Sequence, residues 1–124
     1  MIFRHLVVGP LEGNCYIIGE EISHYGIIID PGGEPEKILQ VVKETGLTIR
    51  FFLATHGHFD HNAAVTQLKK SIDADFLVHK DDLPLLKAGG GAALWNFPMP
   101  AYKEPDLWLA DGDRTILENG INAL

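Results

Sequence analysis

A short segment of the chain, residues 55–62, is rich in side chains that bind metal ions. It contains three histidines and one aspartate: His56, His58, Asp60 and His61. Neutral imidazole nitrogens together with a carboxylate oxygen suit zinc first, with iron or manganese as alternatives. Because such clusters seldom occur without a metal, we expect one or two ions to bind here.

The spacing of these residues favours two metal positions. His56 and His58 are two residues apart, so an extended backbone points both to one side, where they can hold one metal. Asp60 and His61 are adjacent and aim elsewhere, which favours a second position. The alternative for Asp60 is a helix N-cap that accepts backbone N–H bonds. Beside three histidines, we favour the ligand role.

The elements on either side of the cluster are predicted to be a strand and a helix. Ile49 to Ala54 is apolar and predicts a buried strand. Asn62 to Ile72 carries its apolar residues at helical spacing. The cluster therefore lies on a turn at the carboxyl end of a strand, which is where open α/β sheets bind ligands.

The remaining elements alternate, without repeats or a dividing linker. The other predicted strands and helices are Phe3–Val8, Cys15–Ile18, Tyr25–Ile29, a helix from Pro35 to Thr45, Phe76–Val78 and a short helix capped by Asp81 and running to Leu86. Asn119-Gly120 predicts a hairpin between 115–118 and 121–124. The glycines at 89–91 predict a flexible break, and residues 95–105, with three prolines, predict a loop.

The segment 55–62 has the HxHxDH pattern of the metallo-β-lactamase superfamily, and the resemblance covers essentially the whole chain. Upstream, Asn14–Ile18 and Ile27–Ile29 resemble two of the family's strands, and the second runs into an Asp-Pro-Gly turn at Asp30. Residues 108–113 resemble a segment of the glyoxalase II-like branch, the hydroxyacylglutathione hydrolases and their small bacterial relatives.

This resemblance implies a fold class and indicates how much of the family's domain the chain contains. The fold is α/β, the N-terminal half of the family's αββα sandwich, with a mixed sheet and helices on one side. A His-containing turn, a bridging Asp and a final His follow in the family, and none is found in these 124 residues. We therefore expect residues 1–124 to form a single truncated domain.

The resemblance also implies metal-assisted hydrolysis of an acyl carbonyl. His56, His58 and His61 would supply imidazole ligands, and Asp60 would ligate a metal and orient the nucleophile, which makes it the candidate catalytic residue. The expected substrate of the full-length protein is a small-molecule thioester or ester, such as an acylglutathione. Because the downstream ligands are missing from this chain, we expect the chain alone to be weakly active or inactive. The alternative is a non-catalytic, metal-binding and self-associating half-domain.

For other polar and aromatic residues, the sequence gives weaker indications of a role in the site. Asp30 is either a turn residue, as is common in Asp-Pro-Gly, or a support for the metal-binding loop, as the resemblance implies. Thr55 is expected to form a hydrogen bond within the turn that carries the motif. We expect exposed histidines at His5, His24 and His79, a small buried residue at Cys15, and packing in preference to substrate contact at Trp95, Phe97 and Tyr102.

The composition and net charge restrict the kinds of partner that this chain is expected to bind. Hydrophobic residues make up 46% of the chain and charged residues 22%, which is ordinary for a globular domain. The net charge of −7 argues against a nucleic-acid-binding surface. With no long apolar run and no leader pattern, we expect a cytoplasmic protein without membrane contact. Phe51 to Leu53 leave no polar strand face, so we expect a homo-oligomer that covers the second face of the sheet.

Overall fold

The computed structural model describes residues 1–55, 61–82 and 84, together with the backbone of three later strands. The strands are β1 (Ile2–Val8), β2 (Gly13–Gly19), β3 (Tyr25–Ile29), β4 (Thr48–Ala54), β5 (Asp75–His79), β6 (Leu107–Leu109), β7 (Thr115–Leu117) and β8 (Ile121–Ala123). The helices are α1 (Pro35–Thr45), α2 (Val65–Leu68) and a 3₁₀ turn at Lys80–Asp82.

Six strands form one mixed sheet in the order β1-β2-β3-β4-β5-β6. The pairs β1–β2 and β2–β3 are antiparallel, whereas β3, β4, β5 and β6 run parallel to one another. The parallel crossovers are made by α1, between β3 and β4, and by the segment containing α2, between β4 and β5. As predicted from Asn119-Gly120, β7 and β8 form an antiparallel pair.

Both helices pack on one face of the sheet, which confirms the predicted arrangement. Ile38 of α1 and Leu68 of α2 are completely buried in one cluster with strand residues. Ile17, Ile28 and Phe52, which are paired across β2, β3 and β4, are the centre of that face. Period-2 alternation therefore separates this core face from the opposite face of the same strands.

The opposite face of the sheet is also apolar but less completely covered. Ile27 and Leu77 are buried there, whereas Ile29, Phe51 and Leu53 are half-buried. Apolar residues on both sides are typical of parallel strands, which usually lie between two layers.

The helix α1 has the predicted bounds, but the predicted helix 62–72 was too long. Only Val65–Leu68 is α-helical. The N–H of Ala64 donates to Pro31 O at 3.0 Å, and those of Val65, Lys70 and Ser71 donate three residues back. The segment is therefore a series of tight turns around a short α-helix, because these N–H groups bond to Pro31 or three residues back and not to the carbonyl four residues back that a longer α-helix would use.

Several predicted features lie outside the described residues. These are the metal-binding segment 56–60, the end of the helix expected at Leu86, the glycines at 89–91 and the loop 95–105. In the part of the chain that the structure describes, no helix has the length and apolar character needed to cross a membrane.

Neighbouring phenylalanines in β4 test the assignment of the two faces. Phe52 is completely buried beneath the helices, so Phe52→Ala should cost about 3–5 kcal/mol of unfolding free energy through lost burial and a cavity. Phe51→Ala, on the half-buried face, should cost clearly less. Urea unfolding of both variants measures the difference, and equal losses would contradict this assignment.

Candidate metal centre

The site is built where the carboxyl ends of two parallel strands meet. Ile29 at the end of β3 pairs with Leu53 of β4. The ladder continues one step beyond β3, since the N–H of Asp30 donates to Leu53 O at 2.8 Å. Asp30 thus stands beside Thr55, the residue that follows β4, as expected for ligand sites in open α/β sheets.

The Asp30 carboxylate links the ends of β3 and β4 to His61, the last residue of the HxHxDH pattern. Its Oδ1 accepts from the Thr55 N–H at 2.7 Å, and its Oδ2 accepts from the Thr55 hydroxyl at 2.8 Å. The same Oδ2 lies 3.1 Å from Nδ1 of His61. Asp30 is only 7% exposed, so these partners compensate for the cost of burying a carboxylate.

The hydrogen bonds assign the proton on the His61 ring. The Thr55 hydroxyl uses its proton on Asp30, so towards Nδ1 of His61, 3.4 Å away, it can only accept. Asp30 Oδ2 also only accepts. Both neighbours therefore favour the tautomer with the proton on Nδ1, and Nε2 is the nitrogen through which His61 would hold a metal.

The loop after β3 holds the site in place from the backbone side. Asp30 has a left-handed backbone conformation, with φ 55°, which aspartate tolerates better than most residues. The carbonyl of the buried Pro31 accepts the N–H of Ala64 at 3.0 Å. The segment that leaves the metal motif is therefore fixed to the loop by its backbone as well as by His61.

Cys15 is a buried titratable group close enough to Asp30 for its charge to act on the thiol. It is completely buried in β2. Burial, and secondarily the negative charge of Asp30, raise the pKa of its thiol from 9.0 to about 12. The thiol stays protonated at neutral pH, which agrees with a small buried residue and not with a nucleophile.

Of the four predicted ligands, His61 lies within the described residues, and His56, His58 and Asp60 lie outside them. Consistent with this, no group of three His, Cys, Asp or Glu side chains is found together within the described ranges. His61 itself fits a metal site, because metal-binding histidines commonly give their second ring nitrogen to a carboxylate.

The other candidates are placed as follows. His5 and His24 are exposed, as predicted. Asp30 is more than a turn residue, since it holds both Thr55 and His61. The backbone of His79 ends β5, while its side chain and Trp95, Phe97 and Tyr102 lie outside what the structure describes.

Comparison with known proteins decides the family. Residues 8–121 match the model of the metallo-β-lactamase superfamily. The chain belongs to this superfamily. The match includes β3, β4, the segment 56–61 and the loop that carries Asp30, so the geometry described above is that of a metallo-β-lactamase fold.

Individual relatives agree with this assignment. The chain is 41% identical over 117 residues to the hydroxyacylglutathione hydrolase GloC of Haemophilus influenzae, a match that covers 93% of this chain and 55% of GloC. It is 38% identical over 119 residues to the probable metallo-hydrolase YqgX of Bacillus subtilis, covering 94% of this chain and 56% of YqgX.

A solved structure extends the likeness to three dimensions. The crystal structure of TTHA1623 in a di-iron-bound form matches with a TM-score of 0.80 and 36% identity, covering 90% of this chain and 56% of TTHA1623. The chain thus spans about half the length of the relatives it matches, and the predicted fold class is confirmed.

Substitution of Asp30 tests its role in orienting His61. Asparagine has the same shape, and its oxygen can still accept the Thr55 N–H. Its NH₂ group would then face Nδ1 of His61 and favour the tautomer with the proton on Nε2. We expect Asp30→Asn to move the His61 proton from Nδ1 to Nε2, as measured by ¹⁵N–¹H NMR of the imidazole ring without metal.

Thr55 offers the matched control for this experiment. Thr55→Ser keeps the hydroxyl and should retain the Nδ1-protonated ring, at a stability cost of about 1 kcal/mol or less. An Asp30→Asn protein whose His61 still carries its proton on Nδ1 would contradict the assignment.

The raised pKa of Cys15 predicts low reactivity. Native protein at pH 8 should not be alkylated by iodoacetamide, whereas urea-unfolded protein should react fully, as measured by mass spectrometry. Since the folded pKa is raised, this thiol supports stability fully below pH 9 and loses that contribution as the pH rises towards about 12. Rapid native alkylation would show that the strand opens.

Proposed function

We propose that this chain provides metal ligands and their supports in a metal-dependent hydrolase that acts on thioesters such as acylglutathiones. The observation that carries the proposal is the Asp30–Thr55–His61 network, in which a buried carboxylate holds a histidine of the HxHxDH segment by Nδ1. A packed core residue would not require this orientation, whereas a metal ligand does.

The donor set determines which metals fit. His56, His58 and His61 would contribute imidazole nitrogens and Asp60 a carboxylate, a combination that suits zinc, iron or manganese. We propose zinc, in one or two positions, with iron as the alternative, since the crystal structure of TTHA1623 is of a di-iron-bound form. When bound, such a metal supplies a Lewis acid and activates water as a nucleophile at neutral pH.

The chain's own residues would perform the positioning part of this chemistry. Asp30 fixes the ring plane and tautomer of His61 before a ligand arrives, and Thr55 fixes the Asp30 carboxylate. Asp60 would orient the attacking water towards an acyl carbonyl. Such preorganisation matters because a displacement of about 1 Å at a reacting centre can slow a reaction on the order of a hundredfold.

The choice of a thioester substrate rests on similarity to GloC, whose name describes it as a hydroxyacylglutathione hydrolase. The chain spans 55% of the length of GloC, so the thioesterase activity is proposed for a complete enzyme that contains this chain. Self-association through the second face of the sheet also stays a prediction, and the non-catalytic metal-binding half-domain is the second candidate.

Metal binding is the first test. The wild-type chain should bind zinc or iron, measured by equilibrium dialysis and elemental analysis, and His56→Ala with His58→Ala should remove most of it. Asp30→Asn should weaken binding by roughly 10- to 100-fold, as expected for a carboxylate that supports a metal-bound histidine. His5→Ala, an exposed histidine on β1, is the control and should leave metal content unchanged.

Hydrolysis separates the two candidates. The metal-loaded chain should cleave an acylglutathione, however slowly, and Asp60→Asn should abolish this turnover while the fold is retained. Thioester cleavage no faster than that of the same metal in buffer would support the non-catalytic half-domain. An unchanged metal content in the His56→Ala, His58→Ala variant would overturn both candidates.

A further inference from the structure

The turn between β1 and β2, residues 9–12, lies at the same edge of the sheet as Asp30 and Thr55. Because β2 is antiparallel to β3, its first residues stand beside the end of β3, where Tyr16 pairs with Ile29. The turn is closed by a hydrogen bond from the Glu12 N–H to Gly9 O at 3.1 Å.

This turn and the loop after β3 touch through their backbones. A Cβ atom on Gly33 would lie 2.7 Å from Gly9 Cα, and one on Gly9 would lie 3.2 Å from Gly32 O. Glycine at 33 is therefore required by close approach. The two segments meet without side chains between them, so a shift of one displaces the other.

Two side chains from the start of α1 hold this contact together. Glu34 Oε2 accepts the Gly9 N–H at 2.8 Å, and Lys37 Nζ donates to Val7 O at 2.7 Å. We call these two hydrogen bonds the clasp. Both are exposed, so the clasp can be altered without disturbing the core.

The backbone conformation of Glu34 indicates that a glutamate is present here for the length of its side chain. Glu34 precedes α1 with φ 49° and ψ 59°, a left-handed conformation, and makes no side-chain hydrogen bond to its own helix. Glycine or asparagine would adopt this conformation at lower cost. Neither has a side chain long enough for the contact that the glutamate makes with Gly9.

We infer that Glu34 is a positioning residue, which couples the β1–β2 turn to the loop that anchors His61. Through the clasp, the turn, the loop 30–34 and the Asp30–His61 contact move as one unit at the edge of the site. This inference rests on the proposed metal-binding function, because the coupling is between metal binding at His61 and the hydrogen bond of Glu34 with Gly9.

Amide hydrogen exchange with and without zinc tests the coupling. Thr55 N–H, bonded to Asp30, reports the site, and Gly9 N–H, bonded to Glu34, reports the clasp. Zinc should slow exchange at both amides in the wild type, by roughly fivefold or more at Gly9, the lower end of usual coupling between sites. In Glu34→Asn, zinc should still slow Thr55 but no longer slow Gly9.

The same series includes a rescue and an affinity measurement. Glu34→Gln keeps an oxygen at the same reach and should behave as the wild type, whereas asparagine and glycine should not, although both suit the left-handed backbone. Because coupling is reciprocal, zinc affinity should fall in Glu34→Asn by the factor lost at Gly9. Loss of stability alone would instead predict that asparagine and glycine are the better residues.

Glu20 is a matched control at the opposite edge of the sheet. Its carboxylate accepts the backbone N–H groups of Ile22 at 3.0 Å and Ser23 at 2.5 Å in the β2–β3 turn. Glu20→Asn should release that turn and leave both zinc affinity and the Gly9 response unchanged.

The possible outcomes separate the inference from the function on which it rests. If zinc slows Thr55 but not Gly9 in the wild type, or slows Gly9 equally in Glu34→Asn, the coupling is absent and the inference is wrong. If zinc binds nowhere and slows neither amide, the metal-binding function fails, and the inference fails with it.

Discussion

The hydrogen bonds of one buried carboxylate organise the edge of this sheet. Asp30 holds the backbone and hydroxyl of Thr55 and contacts Nδ1 of His61. A carboxylate that is so little exposed requires charged or hydrogen-bonding partners, and those partners come from a strand end and from beyond the metal segment. The alignment of β3 with β4 is thereby linked to the orientation of a candidate ligand.

The rest of the described structure serves to keep those strand ends in register. A parallel pair needs a crossover, and α1 provides it while burying Ile38 against the core face. The loop that leads into α1 is fixed on three sides: by Leu53 of β4 and Thr55 just after it, by Ala64 after the predicted metal-binding segment, and by Gly9 of the first turn. A ligand site on such a loop is held by rigid elements, as precise positioning demands.

Membership of the metallo-β-lactamase superfamily and the local geometry support each other but answer different questions. The family match covers residues 8–121 and establishes the fold. The network around Asp30 explains how one histidine of the motif is oriented, and it does so from distances within this chain.

Much of the architecture could be predicted from local patterns. Pro35 and Gly46 marked the bounds of α1, alternating and apolar runs located the strands, and the spacing of His56, His58, Asp60 and His61 indicated a metal site at a strand end. These signals are carried by neighbouring residues, because backbone preferences and hydrophobic periodicity act over a few positions. The length of α2 was mispredicted, since the N–H groups of Ala64 and Val65 at its start bond to Pro31 and Asn62 and do not follow the α-helical pattern.

Only the tertiary structure decided what Asp30 and Glu34 do. The sequence left Asp30 between a turn residue and a support, and Glu34 gave no signal, because both act across about 25 residues of chain, on Thr55 and on Gly9. Such contacts follow from strand register and from the close approach of Gly9 and Gly33, which no local pattern contains. The sequence by itself indicated the candidate ligands and most of the elements, because those signals are local; the packing of those elements determined how one candidate, His61, is held.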